Sequence, residues 1–146
     1  IKFQKAIQIQ PNHSVLCNNF GATLIELKEY EKAINYFEKA IQIQPDYAAA
    51  YNNLGSILKE TEQHEKAIKY FQKAIKFEPK LTDAHFNLGI TFKELGNFES
   101  AINCFNQVIQ IDPRNIKAHQ NLMESYERIN QPKNRNFLFS LFAHIN

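Results

Sequence analysis

At 146 residues, 44% hydrophobic and 22% charged, the chain has the length and composition of one ordinary domain. Its 17 Lys and Arg against 15 Asp and Glu leave a formal charge of +2, with no basic patch of the kind nucleic acid needs. No apolar run approaches the roughly 18 residues of a membrane span, and the N-terminal IKFQKAI is no signal peptide, so a soluble, cytoplasmic protein is expected.

Taken in order, the chain opens inside a helix. Residues 1–13 carry Phe3, Ala6, Ile7, Ile9 and Pro11, the same order that returns at Phe71, Ala74, Ile75, Phe77 and Pro79. They read as the second-helix remnant of a preceding unit, and the chain, which lacks an initial Met, is expected to be a fragment of something longer. Residues 14–47 are the first complete unit, with Cys17 and Phe20 where the next unit has Tyr51 and Leu54. Residues 48–81 show the pattern most clearly. Tyr51, Leu54, Gly55 and Leu58 follow i, i+3, i+4, i+7 spacing, as do Ala67, Phe71, Ala74 and Ile75, so the unit predicts two amphipathic helices separated by a polar break at Thr61 to His64.

Residues 82–115 repeat the order, with His85 in the aromatic position and Val108 replacing a small Ala. Residues 116–131 begin a fourth unit with His119, Leu122 and Tyr126, although Met123 replaces Gly. Residues 132–146 then depart: Pro132 is new at its position, and Arg135 and Phe142 take the two small-residue places. Seven of the nine residues from Phe137 to Ile145 are apolar. Phe137, Leu138, Leu141, Phe142 and Ile145 are therefore expected to form an interface, docking onto a missing C-terminal domain or a second copy of the chain.

The period itself is fixed by Pro11, Pro45, Pro79 and Pro113, which stand at equal intervals along the chain. Pro removes a backbone donor and clashes with a continuing turn, so each second helix must stop just before it. Gly21, Gly55 and Gly89, with Ala33, Ala67 and Ala101, recur in the same register and allow helix axes to approach closely. Asn12, Asp46 and Thr82 stand where they can cap incoming first helices. Lys28 and Glu62 occupy the inter-helix turn position that Gly96 fills in the third unit.

The order aromatic-x-x-Leu-Gly-x-x-Leu, then Ala-x-x-x-Phe-x-x-Ala, then Pro, at this period resembles the tetratricopeptide repeat over nearly the whole chain, to about residue 131. The resemblance implies an all-α right-handed superhelix, an α-solenoid of antiparallel helix pairs, serving as a protein-interaction scaffold with first helices lining the inner groove.

Positions 2, 6, 9 and 13 of each first helix fall on one stripe. They read Val15, Asn19, Ala22, Glu26; Ala49, Asn53, Ser56, Glu60; Asp83, Asn87, Ile90, Glu94; and Lys117, Asn121, Glu124, Arg128. One Asn recurs at position 6 of every unit. An Asn side chain offers one acceptor and two donors and can pair with both N–H and C=O of an extended peptide. The candidate peptide-binding set is thus Asn19, Asn53, Asn87 and Asn121, with Asn18 and Asn52 widening the strip and Lys59, Lys93, Glu26, Glu60 and Glu94 biasing side-chain choice. Alternatively, these amides bond only to neighbouring helices or water.

The ladder is similar to that of the superhelical arm of O-linked N-acetylglucosamine transferases, and the Leu/Phe-rich NFLFSLFAHIN has the cadence found after the repeats in bacterial relatives. That resemblance implies a non-catalytic, substrate-recognising arm of a larger enzyme. The family's dicarboxylate clamp for chaperone tails would need cations, but the two registers read Asn18, Ala22, Asn53, Asp83, Asn87 and Asn52, Ser56, Asn87, Lys117, Asn121. Chaperone tails are not expected as ligands. His85 and His119 share a packing position and lack a third ligand, so no metal is expected. Cys17 and Cys104 read as reduced, packed thiols. With no nucleophile beside a base and no Gly-rich phosphate loop, neither catalysis nor a cofactor is expected.

Overall fold

The computed structural model describes residues 13–131, among which there are seven helices and no strand. They are α1 (Ser14–Glu26), α2 (Tyr30–Ile43), α3 (Ala48–Glu60), α4 (His64–Phe77), α5 (Thr82–Glu94), α6 (Phe98–Ile111) and α7 (Ile116–Ile129). The remnant helix expected before His13, and the interface expected at Phe137, Leu138, Leu141, Phe142 and Ile145, lie outside the described residues. The chain divides into two compact units, residues 1–84 and 85–146.

In the first unit, α2 folds back on α1 and α4 on α3, each pairing turning on a glycine of the first helix and a phenylalanine of the second. A Cβ built on Gly21 would lie 2.7 Å from Cε1 of Phe37, and one on Gly55 2.6 Å from Cε1 of Phe71. Carbon atoms in ordinary contact sit about 3.5–4.0 Å apart, so the ring occupies the space a side chain would need. Ala33, Phe37 and Ala40 on α2, and Ala67, Phe71 and Ala74 on α4, are wholly buried. They repeat at i, i+4, i+7 and give each second helix one apolar face. Burying each ring contributes about 1.5–3 kcal/mol. α2 also packs on α3, where Ile57, Leu54 and Ala50 join the α1–α2 core.

The second unit repeats the device between α5 and α6, where a Cβ built on Gly89 would lie 2.7 Å from Cε1 of Phe105, and Ala101, Phe105 and Val108 are wholly buried. α7 then packs on α6 through residues that include the buried Ala118.

The ends of these helices follow from local chemistry. The residues before the prolines, Gln44, Glu78 and Asp112, have extended backbone (φ −134, −136 and −130°), as Pro requires of its predecessor. The first helices end in the Schellman pattern. Lys28 N–H bonds Ile25 O and Glu29 N–H bonds Leu24 O; Glu62 and Gln63, then Gly96 and Asn97, do the same one and two units later. The motif puts its turning residue in the left-handed region, and Lys28 (φ 59°), Glu62 (φ 60°) and Gly96 (φ 78°) all lie there. Only Gly96 does so without a Cβ penalty.

Capping differs from expectation. The cap position of α3 belongs to Tyr47, whose side chain makes no cap bond, and Asp46 lies in the turn before it. Thr82 is the first residue of α5. The side chains that do cap are Asn97, accepting from Ser100 N–H at 3.3 Å, and Asn115, accepting from Ala118 N–H at 3.0 Å.

Candidate functional site

The stripe at positions 2, 6, 9 and 13 stays accessible on every first helix. Not one of its residues is buried, and Asn19, Glu26, Glu60, Asp83, Glu94, Lys117, Glu124 and Arg128 are fully on the surface. The opposite face of α1 and α3 supplies the core, with Cys17 and Leu24 on α1 and Leu54 and Ile57 on α3 buried to within a few per cent. The side chains that do not pack are therefore the mixed polar set, and their placement follows from the 3.6-residue turn.

In the first unit the strip runs along α1 and α3. Asn53 is half-buried and donates through Nδ2 to Oδ1 of Asn18 at 2.9 Å. Asn18 also bonds the hydroxyl of Tyr47, a group whose pKa burial raises and this hydrogen bond lowers. Asn18 and Asn52, expected to widen the exposed strip, are instead 7% and 9% exposed. One helical residue rotates a side chain by about 100°, so Asn18 turns into the helix contact while Asn19 faces solvent. This ladder amide thus bonds between helices, and Asn53 keeps Oδ1 and its second N–H outside that bond. Lys59 and Glu60 stand 3.9 Å apart, a loose pair.

In the second unit the strip runs along α5 and α7, and a cation spans them. Lys93 Nζ donates to Oδ1 of Asn121 at 2.7 Å and to Oε2 of Glu124 at 2.8 Å, while Asn121 Nδ2 donates to the carbonyl of Lys117 at 2.8 Å. The Lys93 hydrogen bond and charge, with a smaller contribution from Arg128, hold the Glu124 carboxyl below the usual carboxylate range. Arg128 also lies 5.5 Å from the centre of the Phe98 ring. The sequence singled out Lys93 and Asn121 as site residues but not the bridge between them, and it placed Glu124 on the stripe without a role. The signal was present in the spacing, since Lys93 precedes both Asn121 and Glu124 by a little under one repeat, where adjacent first helices come side by side.

Other candidates have packing tasks. Tyr51 donates to the carbonyl of Pro45 at 2.8 Å, and His119 Nε2 lies 2.9 Å from the carbonyl of Pro113, the same relation two repeats on. These positions tie the start of a first helix to the proline ending the helix before it. His85 is buried, whereas His119 is exposed rather than in the core. Among the described residues no group of three or more His, Cys, Asp or Glu is placed to hold a metal ion, and no helix is long and apolar enough to cross a membrane. Cys17 and Cys104 are free and buried, and burial pushes the Cys104 thiol up to about 11.

Against known proteins, the fold and the repeat find wide company. The chain is similar to the crystal structure of MamA, at 27% identity and TM-score 0.76 over 86% of this chain and 73% of that one. It is also similar in fold to the first TPR domain of Spaghetti (RPAP3) bound to the HSP90 peptide SRMEEVD, at 18% identity and TM-score 0.77 over 81% of this chain and 94% of that one. The TPR domain of Arabidopsis OM64 shares the fold at 22% identity and TM-score 0.75, over 80% and 96% of the two chains. No curated protein matches. The family model described as tetratricopeptide repeat matches residues 11–80 and 46–114, and with this all-α arrangement of glycine-to-phenylalanine helix pairs, the chain belongs to the tetratricopeptide-repeat family.

Proposed function

We propose that the chain is a non-catalytic module that holds an extended peptide, or an extended segment of a partner protein, along the strip on its first helices. Tetratricopeptide repeats are generally scaffolds for protein–protein interaction. The observation that carries the finer reading is that the whole strip, one Asn per repeat, is accessible while other faces of α1, α3 and α5 supply the core. Asn19, Asn53, Asn87 and Asn121 would pair with the ligand backbone, and Lys59, Lys93, Glu26, Glu60 and Glu94 would select among side chains. Asn18 acts from beneath, fixing the rotamer of Asn53 by a hydrogen bond made before any ligand arrives.

The related domain bound to SRMEEVD supports a peptide as the ligand class. An acidic chaperone tail is disfavoured for this chain, because its clamp registers supply amides and Asp83 where cations are needed.

The test is to select binders from a library of unstructured peptides and compare their affinity for the parent and for an Asn53→Ala, Asn87→Ala double variant. At about 1 kcal/mol per neutral hydrogen bond, loss of both rungs weakens binding at least tenfold. Melting of each variant, and an Asn19→Ala variant at an exposed position, separates lost contacts from lost packing. Undiminished affinity in a folded double variant would refute the reading.

A further inference from the structure

The near balance of charge over the whole chain conceals one helix that is strongly one-sided. α4 carries Lys66, Lys69, Lys73 and Lys76 against Glu65 alone, whereas α2 sets Lys32 and Lys39 against Glu31 and Glu38, and α6 has only Glu99. At about 100° per residue the four lysines fall within about 80° of the helix circumference and along about 15 Å of its length. They lie on the side away from the buried Ala67, Phe71 and Ala74, and all four are exposed.

Neutral partners hold two of these cations in place. Lys66 Nζ donates to Oε1 of Gln63 at 3.2 Å, and Lys73 Nζ stands 5.7 Å from the ring centre of Tyr51 and 5.9 Å from that of Tyr70. Among the described residues none of the four has a carboxylate within ion-pair distance. On α2, by contrast, Lys32 is 2.7 Å from Glu29. Like charges three and four residues apart repel one another along a helix, so an anion laid beside the row relieves that repulsion.

We propose that this outer face of α4 binds an acidic segment of a partner protein, one carrying a run of Asp or Glu. The width of the row chooses this anion. Residues 13–84 hold nine Lys against ten Asp and Glu, so the positive potential is one helix wide, and a membrane plane or a nucleic-acid duplex laid on this unit would meet carboxylates as well. A peptide chain is narrow enough to meet the lysines alone, and about five extended residues cover the length of the row. Register shows which lysines set the site apart. Lys69 stands where the first and third units have Asn35 and Asn103, and Lys76 where they have Gln42 and Gln110. These two are the specificity-determining pair, and the same fold accepts neutral residues at both places. The strip on the first helices includes none of the four lysines, so the inference stands apart from peptide capture there.

The test is the fluorescence anisotropy of a labelled peptide of eight glutamates, titrated with the full chain at low ionic strength, with a peptide of eight glutamines as reference. The chain binds the glutamate peptide saturably and the glutamine peptide not at all. Lys69→Asn with Lys76→Gln weakens that binding about three- to tenfold, as the loss of two exposed charge pairs requires. Lys66→Ser, Lys69→Asn, Lys73→Gln and Lys76→Gln together, which give α4 the outer face of α6, abolish it, and Lys32→Gln leaves it unchanged. Circular dichroism melts verify that each variant is folded. Absence of binding by the parent, or binding that the folded fourfold variant retains, would overturn the proposal. So would tighter binding, lost in the same variant, to vesicles with about a third phosphatidylserine or to a single-stranded oligonucleotide, which would assign the row to those anions instead.

Discussion

Replacing Gly55 with alanine sets two effects of opposite sign against each other. In an unobstructed helix interior this change is stabilising, by about 1 kcal/mol, because alanine loses less backbone freedom on folding. Here the added methyl would lie 2.6 Å from Cε1, 2.7 Å from Cδ1 and 3.0 Å from Cζ of Phe71. Reaching ordinary contact requires a movement of about 1 Å. The ring cannot yield cheaply, since Phe71 and its helix neighbours Ala67 and Ala74 are all wholly buried. Overpacking of this kind costs about 1–3 kcal/mol, so the clash offsets the propensity gain and the net change falls between about 0 and 2 kcal/mol of destabilisation. Urea denaturation followed by circular dichroism reads it, and Ser56→Ala, a half-buried neighbour on the strip, serves as control. Combining Gly55→Ala with Phe71→Leu isolates the cause: if the clash is right, the two changes together cost less than their sum. A Gly55→Ala variant more stable than the parent by about 1 kcal/mol would refute the reasoning, because it would mean that the ring does not fill the glycine's space.

Other consequences follow from single contacts. Lys28→Gly and Glu62→Gly each relieve a left-handed backbone that costs about 1–2 kcal/mol with a Cβ. After the greater unfolded-state freedom of glycine is subtracted, each gains about 0.5–1 kcal/mol in urea titration. Cys104, with its thiol pushed up to about 11 and its side chain buried, stays unmodified by iodoacetamide at pH 8 until denaturant opens the second unit; labelling at the unfolded rate in buffer would contradict that burial. The Lys93–Glu124 pair lowers the Glu124 pKa, so its contribution to stability is present above the ordinary glutamate value, near about 4.3, and is lost as pH falls through the depressed folded value. Because the Glu124 side chain is 57% exposed, the effect is small and vanishes in high salt. A Glu124→Gln variant should show a flatter acid limb in thermal melts at low ionic strength, and an unchanged limb would show that the pair carries no linkage.

Much of this architecture was legible because repetition states each contact several times. The prolines mark where α2, α4 and α6 stop, and the recurring Gly and Phe mark which faces meet, since both rest on local sterics that the residue type alone determines. The left-handed turns at Lys28 and Glu62 were visible only by register with Gly96. What the pattern hid depends on small rotations or on partners in the neighbouring helix. Asn18 and Asn19 look interchangeable in sequence, yet one step of the helix buries the first and exposes the second. Asp46 looked like a cap, but the turn after Pro45 uses it up and hands the position to Tyr47. The bridge from Lys93 to Asn121 and Glu124 joins two first helices, and no single repeat contains it.

The central claim, that the amides of the strip grip a ligand backbone, is tested most directly by the side-chain NH2 resonances of ¹⁵N-labelled protein during titration with a library-selected peptide. The account predicts that the signals of Asn19, Asn53, Asn87 and Asn121 move together with saturation, while those of the helix-capping Asn97 and Asn115 stay in place. Saturable binding that leaves the four strip amides unmoved would contradict it and put the ligand on another face.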